Sequence, residues 1–301
     1  MAAGEKAAFV AVVGRPSAGK SSLVNLICGQ KLAIVSPVPQ TTRNVIRGIL
    51  TRSEGQLVFM DTPGRHTSER KMNKKLTEVS EKVLYDTELV LYVLDASRAP
   101  GPEEEAIAAR LLPLAERVIA VINKTDLPAS DPERAMGFLH DHMPGLDPSR
   151  CFRISCYQKQ GIEAVLECLF EMAPEGDPMY SGDIYTDQEI PFRIAEIIRE
   201  KAINRLREEL PHSIYVQVAD TELKENDSGE QRLWVRAFII TERESQKGMV
   251  VGAGGAMIKA IRQASQKELN QIFEWKVDLD LRVKTAKDWR HSDAVLRRII
   301  N

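Results

Sequence analysis

The stretch Gly14-Arg-Pro-Ser-Ala-Gly-Lys20-Ser21 decides how this chain reads. It fits G-x-x-x-x-G-K-[ST], with an apolar run (residues 9–13) before it and a helix-forming segment (residues 22–28) after it. Strand, glycine turn and helix in that order form a phosphate cradle. Gly14 and Gly19 let the backbone curl so that successive N–H groups converge on an anion. The helix N-terminus adds partial positive charge there. Ser17, Ala18 and Ser22 complete the loop and the first helical turn. Lys20 suits the β- and γ-phosphates of a nucleotide, and the Ser21 hydroxyl suits Mg²⁺.

Outward from this loop, short apolar runs at 57–60, 89–94 and 118–122 read as buried strands, each followed by a helix-length segment. Residues 48–51 predict a neighbouring strand, 152–154 a short last one, and 161–172 a helix. Such alternation implies a mostly parallel sheet with helices on both faces. Ligands of such sheets lie at the carboxyl ends of the strands. Three further loops occupy those ends. Asp61-Thr-Pro-Gly64 offers a carboxylate for Mg²⁺ and a backbone N–H for a γ-phosphate. Asn123-Lys124-Thr-Asp126 offers a carboxylate that accepts from guanine N1–H and N2–H₂, where adenine would present a lone pair. Ser155-Cys156 offers a backbone N–H for guanine O6. Their order, phosphate then magnesium then base, carries more weight than any one of them.

Residues 174–191 (PEGDPMYSGDIYTDQEIP) read as an interdomain linker. Beyond them the pattern changes. Residues 192–210 predict an amphipathic helix. Ile214, Val216 and Val218, then Leu233, Val235, Ala237 and Ile239, predict a hairpin around the polar loop 222–230. A helix over 257–273 and a strand over 277–283 complete an α-β-β-α-α-β unit. Gly252-Ala253-Gly254-Gly255 lies between two predicted helices. Its G-x-x-G pattern, in that element order, resembles the loop of a type II KH domain, which clamps about four nucleotides of RNA backbone. Lys247, Lys259, Arg262 and Lys267 flank it, and Trp289 reads as a packing residue.

The 301 residues suit two domains. Net charge is −2 overall, yet residues 1–189 hold 21 basic and 26 acidic groups while 190–301 hold 20 and 17. The basic excess sits in the second part, as a polyanion partner would require. No apolar run approaches the roughly 18 residues of a membrane span. The four cysteines form no C-x-x-C pair, so buried reduced thiols are expected rather than a disulfide framework or zinc site.

The stretches GRPSAGKSSLVN (14–25), SPVPQTTR (36–43), DTPG (61–64), NKTD (123–126), ISC (154–156), YSGDIYTDQ and EIIREKAINRL together resemble the bacterial Era GTPases. The resemblance runs from about residue 9 to residue 299. It implies an α/β GTPase domain (1–175), a linker (176–190) and a smaller α+β type II KH domain with a C-terminal tail (191–301). It implies GTP/GDP and Mg²⁺ as ligands, with Thr42, rather than its neighbour Thr41, joining Ser21 and Asp61 on the metal. Lys20, Thr42 and Gly64 would act at the γ-phosphate. Small-subunit ribosomal RNA and the 30S subunit are the implied partners, with Lys247, Gly252, Ala253, Gly254, Gly255, Lys259 and Arg262 on the RNA. A cytoplasmic monomer with slow hydrolysis is expected, peripheral association with the cell membrane being left open. Two positions depart from related GTPases. Ser17 replaces an asparagine linked to potassium stimulation, so that stimulation is not expected here. Arg65 stands where some GTPases carry a water-positioning glutamine. The alternative reading is an RNA-binding or cell-cycle signalling adaptor whose nucleotide site is mainly structural.

Overall fold

A computed structural model of the chain describes residues 5–36, 38, 41–62, 71–225 and 229–299. The chain forms two compact units, Met1–Ala33 with Thr42–Asp187, and Ile34–Thr41 with Gln188–Asn301.

The first unit is a six-stranded sheet in the order β2-β3-β1-β4-β5-β6. Its strands are β1 (Lys6–Val13), β2 (Ile46–Arg52), β3 (Gly55–Asp61), β4 (Leu89–Asp95), β5 (Val118–Asn123) and β6 (Cys151–Arg153). All pair in parallel except β2, which runs antiparallel to β3 at the edge. Every residue of β4 and β5 is buried. Helices α1 (Lys20–Ile27), α2 (Lys71–Asp86), α3 (Pro102–Leu111), α4 (Pro132–His142) and α5 (Ile162–Met172) follow the strands. A strand covered on both faces needs no polar alternation, which is why these segments read as unbroken apolar runs. The strand order reverses direction at β1. The crevice at that switch point lies beyond the carboxyl ends of β1, β3, β4 and β5. Those ends carry Gly14, Asp61, Asp95 and Asn123.

The expected linker is divided between the units. Residues 176–187 lie with the first unit because polar bonds hold them there. Tyr180 and Gln56 exchange two hydrogen bonds of 2.9 Å. Thr186 Oγ1 donates to the Arg47 carbonyl at 2.8 Å, and Arg47 pairs with Asp187 at 2.6 Å.

The second unit contains α6 (Ile190–Ile203), α7 (Leu210–Ser213), β7 (Ile214–Glu225), β8 (Gln231–Thr241), α8 (Glu244–Val251), α9 (Ala256–Ile272), β9 (Lys276–Thr285) and α10 (Asp293–Ile299). Its sheet order is β7-β8-β9, with β7 antiparallel and β9 parallel to β8. Ile194, Ile198 and Ala202 of α6 pack with Val235, Ala237 and Ile239 of β8 and with Ile261 and Leu269 of α9. The first helix stops at Ile203 rather than running to 210. Glu208 takes a left-handed φ of 55°, and Pro211 has no N–H to extend a helical ladder. The hairpin strands run further into the polar segment than the alternation predicts. A register shift between Val218 and Asp220 turns the outer half of β7, which is exposed on both faces.

Residues Ile34–Thr41 belong to this second unit although they lie between α1 and β2 in sequence. Val38 packs against its core. The Val35 N–H donates to Glu200 at 3.1 Å, Ser36 Oγ to Asn204 at 2.5 Å, and the Arg199 guanidinium to the Thr41 carbonyl.

Candidate functional site

The loop between β1 and α1 is shaped by its neighbours as much as by its own glycines. A Cβ at Gly14 (φ 151°) would lie 2.3 Å from the Val93 carbonyl oxygen, and one at Gly19 (φ 102°) 2.2 Å from Asn123 Nδ2. Ser17 takes a left-handed φ of 63°. Lys20, buried at the start of α1, donates from Nζ to the carbonyls of Gly14 at 2.9 Å and Arg15 at 3.0 Å. Burial lowers its pKa, with Asp61 and Glu103 opposing. Ala18 is fully buried, and Ser22 is half-buried in the first turn of α1.

Ser21 Oγ donates to Asp61 Oδ2 at 2.6 Å and lies 3.3 Å from Thr42 Oγ1. Asp61 ends β3 fully buried. Burial raises its pKa, against the pull of Lys20 and the Ser21 hydrogen bond. Its Oδ1 is buried and has no hydrogen-bond partner among the described residues. Two hydroxyls and a carboxylate form a hard, all-oxygen donor set, which suits Mg²⁺. The orphaned Oδ1 is a buried acceptor that a cation or its water would satisfy. Gly64 and Arg65 lie outside the described residues.

The base side is equally ordered. Asn123 Nδ2 donates to the Ala18 carbonyl at 3.0 Å, tying this loop to the phosphate loop. Its Oδ1 accepts from the Cys156 N–H at 3.2 Å. Asp126 is held by the Ser155 hydroxyl at 2.6 Å. The Ser155 N–H donates to the Gln160 carbonyl at 3.1 Å, so each N–H of the Ser155-Cys156 pair, one of which is expected at guanine O6, has a protein partner here. Ser155 serves this loop through its side chain, a role the sequence reading missed. Lys124 pairs with Asp95 at 2.7 Å. That carboxylate was also missed, although its position at the end of β4, opposite Asn123 of β5, was a readable signal.

In the second unit α8 ends at Val251, and Gly252, Gly254 and Gly255 take positive φ of 73°, 58° and 78° in the turn before α9. A Cβ at Gly252 would lie 2.7 Å from Met257 Cβ, whereas one at Gly254 or Gly255 would meet nothing within 4 Å. Ala253, Gly254, Lys259 and Arg262 are exposed, and Lys247 pairs with Glu244 at 2.9 Å. Trp289 is buried. Its Nε1 donates to the Ser213 carbonyl at 3.2 Å and its ring meets Tyr215 edge-on, so it is a packing residue.

A nucleotide-phosphate cradle beside a carboxylate-bearing base loop, followed by a helix-turn-helix on a three-stranded sheet, defines a GTPase domain joined to a KH domain. Residues 9–124 match the family described as 50S ribosome-binding GTPase, and residues 209–290 match the KH domain family. The Treponema denticola protein named GTPase Era is 47% identical over 96% of this chain and 98% of its own length. The Borreliella burgdorferi protein of that name is 42% identical over 98% of this chain and all of its own. Two solved structures cover 98% of this chain and 98% of their own. One is a single-residue variant of Aquifex aeolicus Era bound to GDP·AlF4⁻ (32% identity, TM-score 0.90). The other is Era in complex with MgGDPNP and nucleotides 1506–1542 of 16S ribosomal RNA (31% identity, TM-score 0.91). This chain belongs to the Era GTPases: it is a GTP-hydrolysing enzyme with a KH domain.

Proposed function

We propose that this protein is a nucleotide-controlled switch that binds small-subunit ribosomal RNA through its KH domain and assists 30S assembly. In this reading Lys20 neutralises the β- and γ-phosphates. Gly14, Ser17, Ala18, Gly19 and Ser22 surround them with backbone and hydroxyl donors. Ser21, Thr42 and Asp61 hold Mg²⁺, which supplies charge neutralisation on the phosphate oxygens. Asn123, Lys124, Asp126, Ser155 and Cys156 form the guanine side, and Gly64 donates its N–H to the γ-phosphate. Lys247, Gly252, Ala253, Gly254, Gly255, Lys259 and Arg262 contact RNA backbone. An open, left-handed glycine turn leaves room for that backbone to approach.

One observation carries the switch. Thr41 and Thr42 are bonded neighbours that belong to different units. Thr42 Oγ1 lies 3.3 Å from Ser21 Oγ, while the Thr41 carbonyl accepts from Arg199 of α6. A change in what Thr42 binds is therefore felt by a segment that folds with the RNA-binding unit. Hydrolysis is slow in this reading, because Arg65 stands where some GTPases carry a water-positioning glutamine. Potassium does not stimulate it, because the Ser17 hydroxyl reaches less far than an asparagine amide. This reading places the protein in the cytoplasm as a monomer, with peripheral association at the cytoplasmic face of the cell membrane as its alternative. Among the described residues no helix is long and apolar enough to cross a membrane.

Crosslinking to the small subunit with a GTP analogue and with GDP tests this reading. A footprint at the 3′ end of the ribosomal RNA that depends on the nucleotide supports it. The same footprint with both nucleotides, and with Lys20→Ala, would leave a signalling adaptor with a structural nucleotide site.

A further inference from the structure

Asp95 closes an apolar strand with a carboxylate whose side chain is 1% exposed. A buried charge persists only where partners satisfy it. Here three donors and one ion pair do so. Oδ1 accepts from the Ser97 N–H at 2.9 Å and the Ser97 hydroxyl at 2.5 Å. Oδ2 accepts from Lys124 Nζ at 2.7 Å and faces the Arg15 guanidinium at 3.6 Å. Burial works against the charge. The bonds from Lys124 and Ser97 outweigh it and keep the carboxyl below its usual range.

The two cations come from the two halves of the nucleotide site. Arg15 follows Gly14 in the phosphate loop. Lys124 lies in the base loop, one residue past the Asp95–Asn123 pairing, at a left-handed φ of 66° that non-glycine residues seldom adopt. Arg15 is 12% exposed, and its Nε lies 3.0 Å from Glu104. Its contacts are ionic rather than well-aligned hydrogen bonds. Glu104 is itself fixed, accepting from the Gly101 N–H at 3.0 Å at the start of α3. An arginine in a phosphate loop invites a phosphate role, but here both partners of its guanidinium are carboxylates.

We infer that Asp95 and Arg15 are positioning residues for guanine recognition. Asp95, anchored by Ser97 and Arg15, holds the Lys124 ammonium and its strained loop in the arrangement that receives the base. This charged tie works alongside the neutral Asn123–Ala18 bond, so the base loop and the phosphate loop move together. The inference rests on the assignment of Lys124 to the guanine side of the site.

Fluorescent GDP binding to the full chain tests it in Asp95→Asn, Lys124→Met and the double variant. If Asp95 acts through Lys124, each single change weakens GDP by about tenfold, and the double variant is no weaker than Lys124→Met, since residues in one network are not additive. In steady-state GTP hydrolysis Asp95→Asn raises KM while kcat holds within about twofold, the signature of lost uniform binding. A purely structural ion cluster would instead leave GDP affinity untouched or give additive losses, and either result overturns the inference. Should Asp95→Asn fail to fold, Arg15→Gln replaces it in the same cycle, with about a threefold loss that vanishes in the Lys124→Met background. A loss that persists there overturns the inference. If Lys124→Met itself binds GDP normally, the assignment of Lys124 fails first, and the inference with it.

Discussion

The two glycine loops assigned to phosphate, one to a nucleotide's and one to RNA's, are built in opposite ways. Around Gly14 and Gly19 the space is full: a methyl group would strike the Val93 carbonyl or Asn123 within 2.3 Å. Around Gly254 and Gly255 it is empty to 4 Å. The first loop needs glycine because its neighbours are already in place. At Gly254 and Gly255 the second needs it because the backbone turns left-handed in open space, whereas Gly252 at its start is crowded by Met257. A closed, preformed cradle suits a small ligand recognised atom by atom. An open turn suits a polymer whose backbone is recognised by shape and charge.

The sharpest way to break this contrast is at the base. Asp126→Asn should cost about 10⁴-fold in guanine discrimination and shift preference toward xanthine nucleotides, as competition binding would report. Retained guanine selectivity would remove Asp126 from the site. The closed side also makes a chemical forecast. Burial pushes the thiols of Cys28 and Cys156 up to about 12. The thiolate is the reactive form, so native alkylation at pH 8 should run about 10³-fold slower than in the unfolded chain, measured by mass spectrometry. The linkage has one sign. These thiols bind protons more tightly when folded, so they cost stability only as pH rises above the unfolded thiol's range. Rapid labelling of Cys156 would mean that the base loop is open.

Stability separates the loops next. Gly14→Ala should cost about 3 kcal/mol or more in denaturant unfolding, because backbone must move. Gly254→Ala meets open space and should cost only the left-handed strain, about 1 kcal/mol, while weakening RNA binding. Equal costs would erase the distinction. The smallest effect is expected from Ser17: replacing Na⁺ by K⁺ should change GTP turnover by less than about twofold. A larger stimulation would show that the Ser17 loop completes a potassium site.

The closed side was the more legible in sequence, because its chemistry lies in contiguous motifs at strand ends. Lys20, Asp61, Asn123 and Asp126 each follow an apolar run that can only be a buried strand, and the structure brings them to one crevice. What escaped reading depends on partners far apart in the chain. Asp95 is interpretable only once Arg15 and Lys124 stand beside it. The Ser155 side chain takes meaning only when Asp126 is 2.6 Å away. Residues Ile34–Thr41 are too short and mixed to show a face, and their anchors, Arg199, Glu200 and Asn204, come more than 150 positions later. The outer half of β7 lost its alternation because neither face is covered there.

If the closed site governs the open one, RNA affinity must depend on the bound nucleotide. Equilibrium binding of the full chain to an oligonucleotide covering the 3′ end of small-subunit ribosomal RNA, measured with GDP and with a non-hydrolysable GTP analogue, tests it most directly. A coupling of about 2 kcal/mol, some thirtyfold tighter RNA binding with the analogue, is the predicted result. Equal affinity in the two nucleotide states would contradict it.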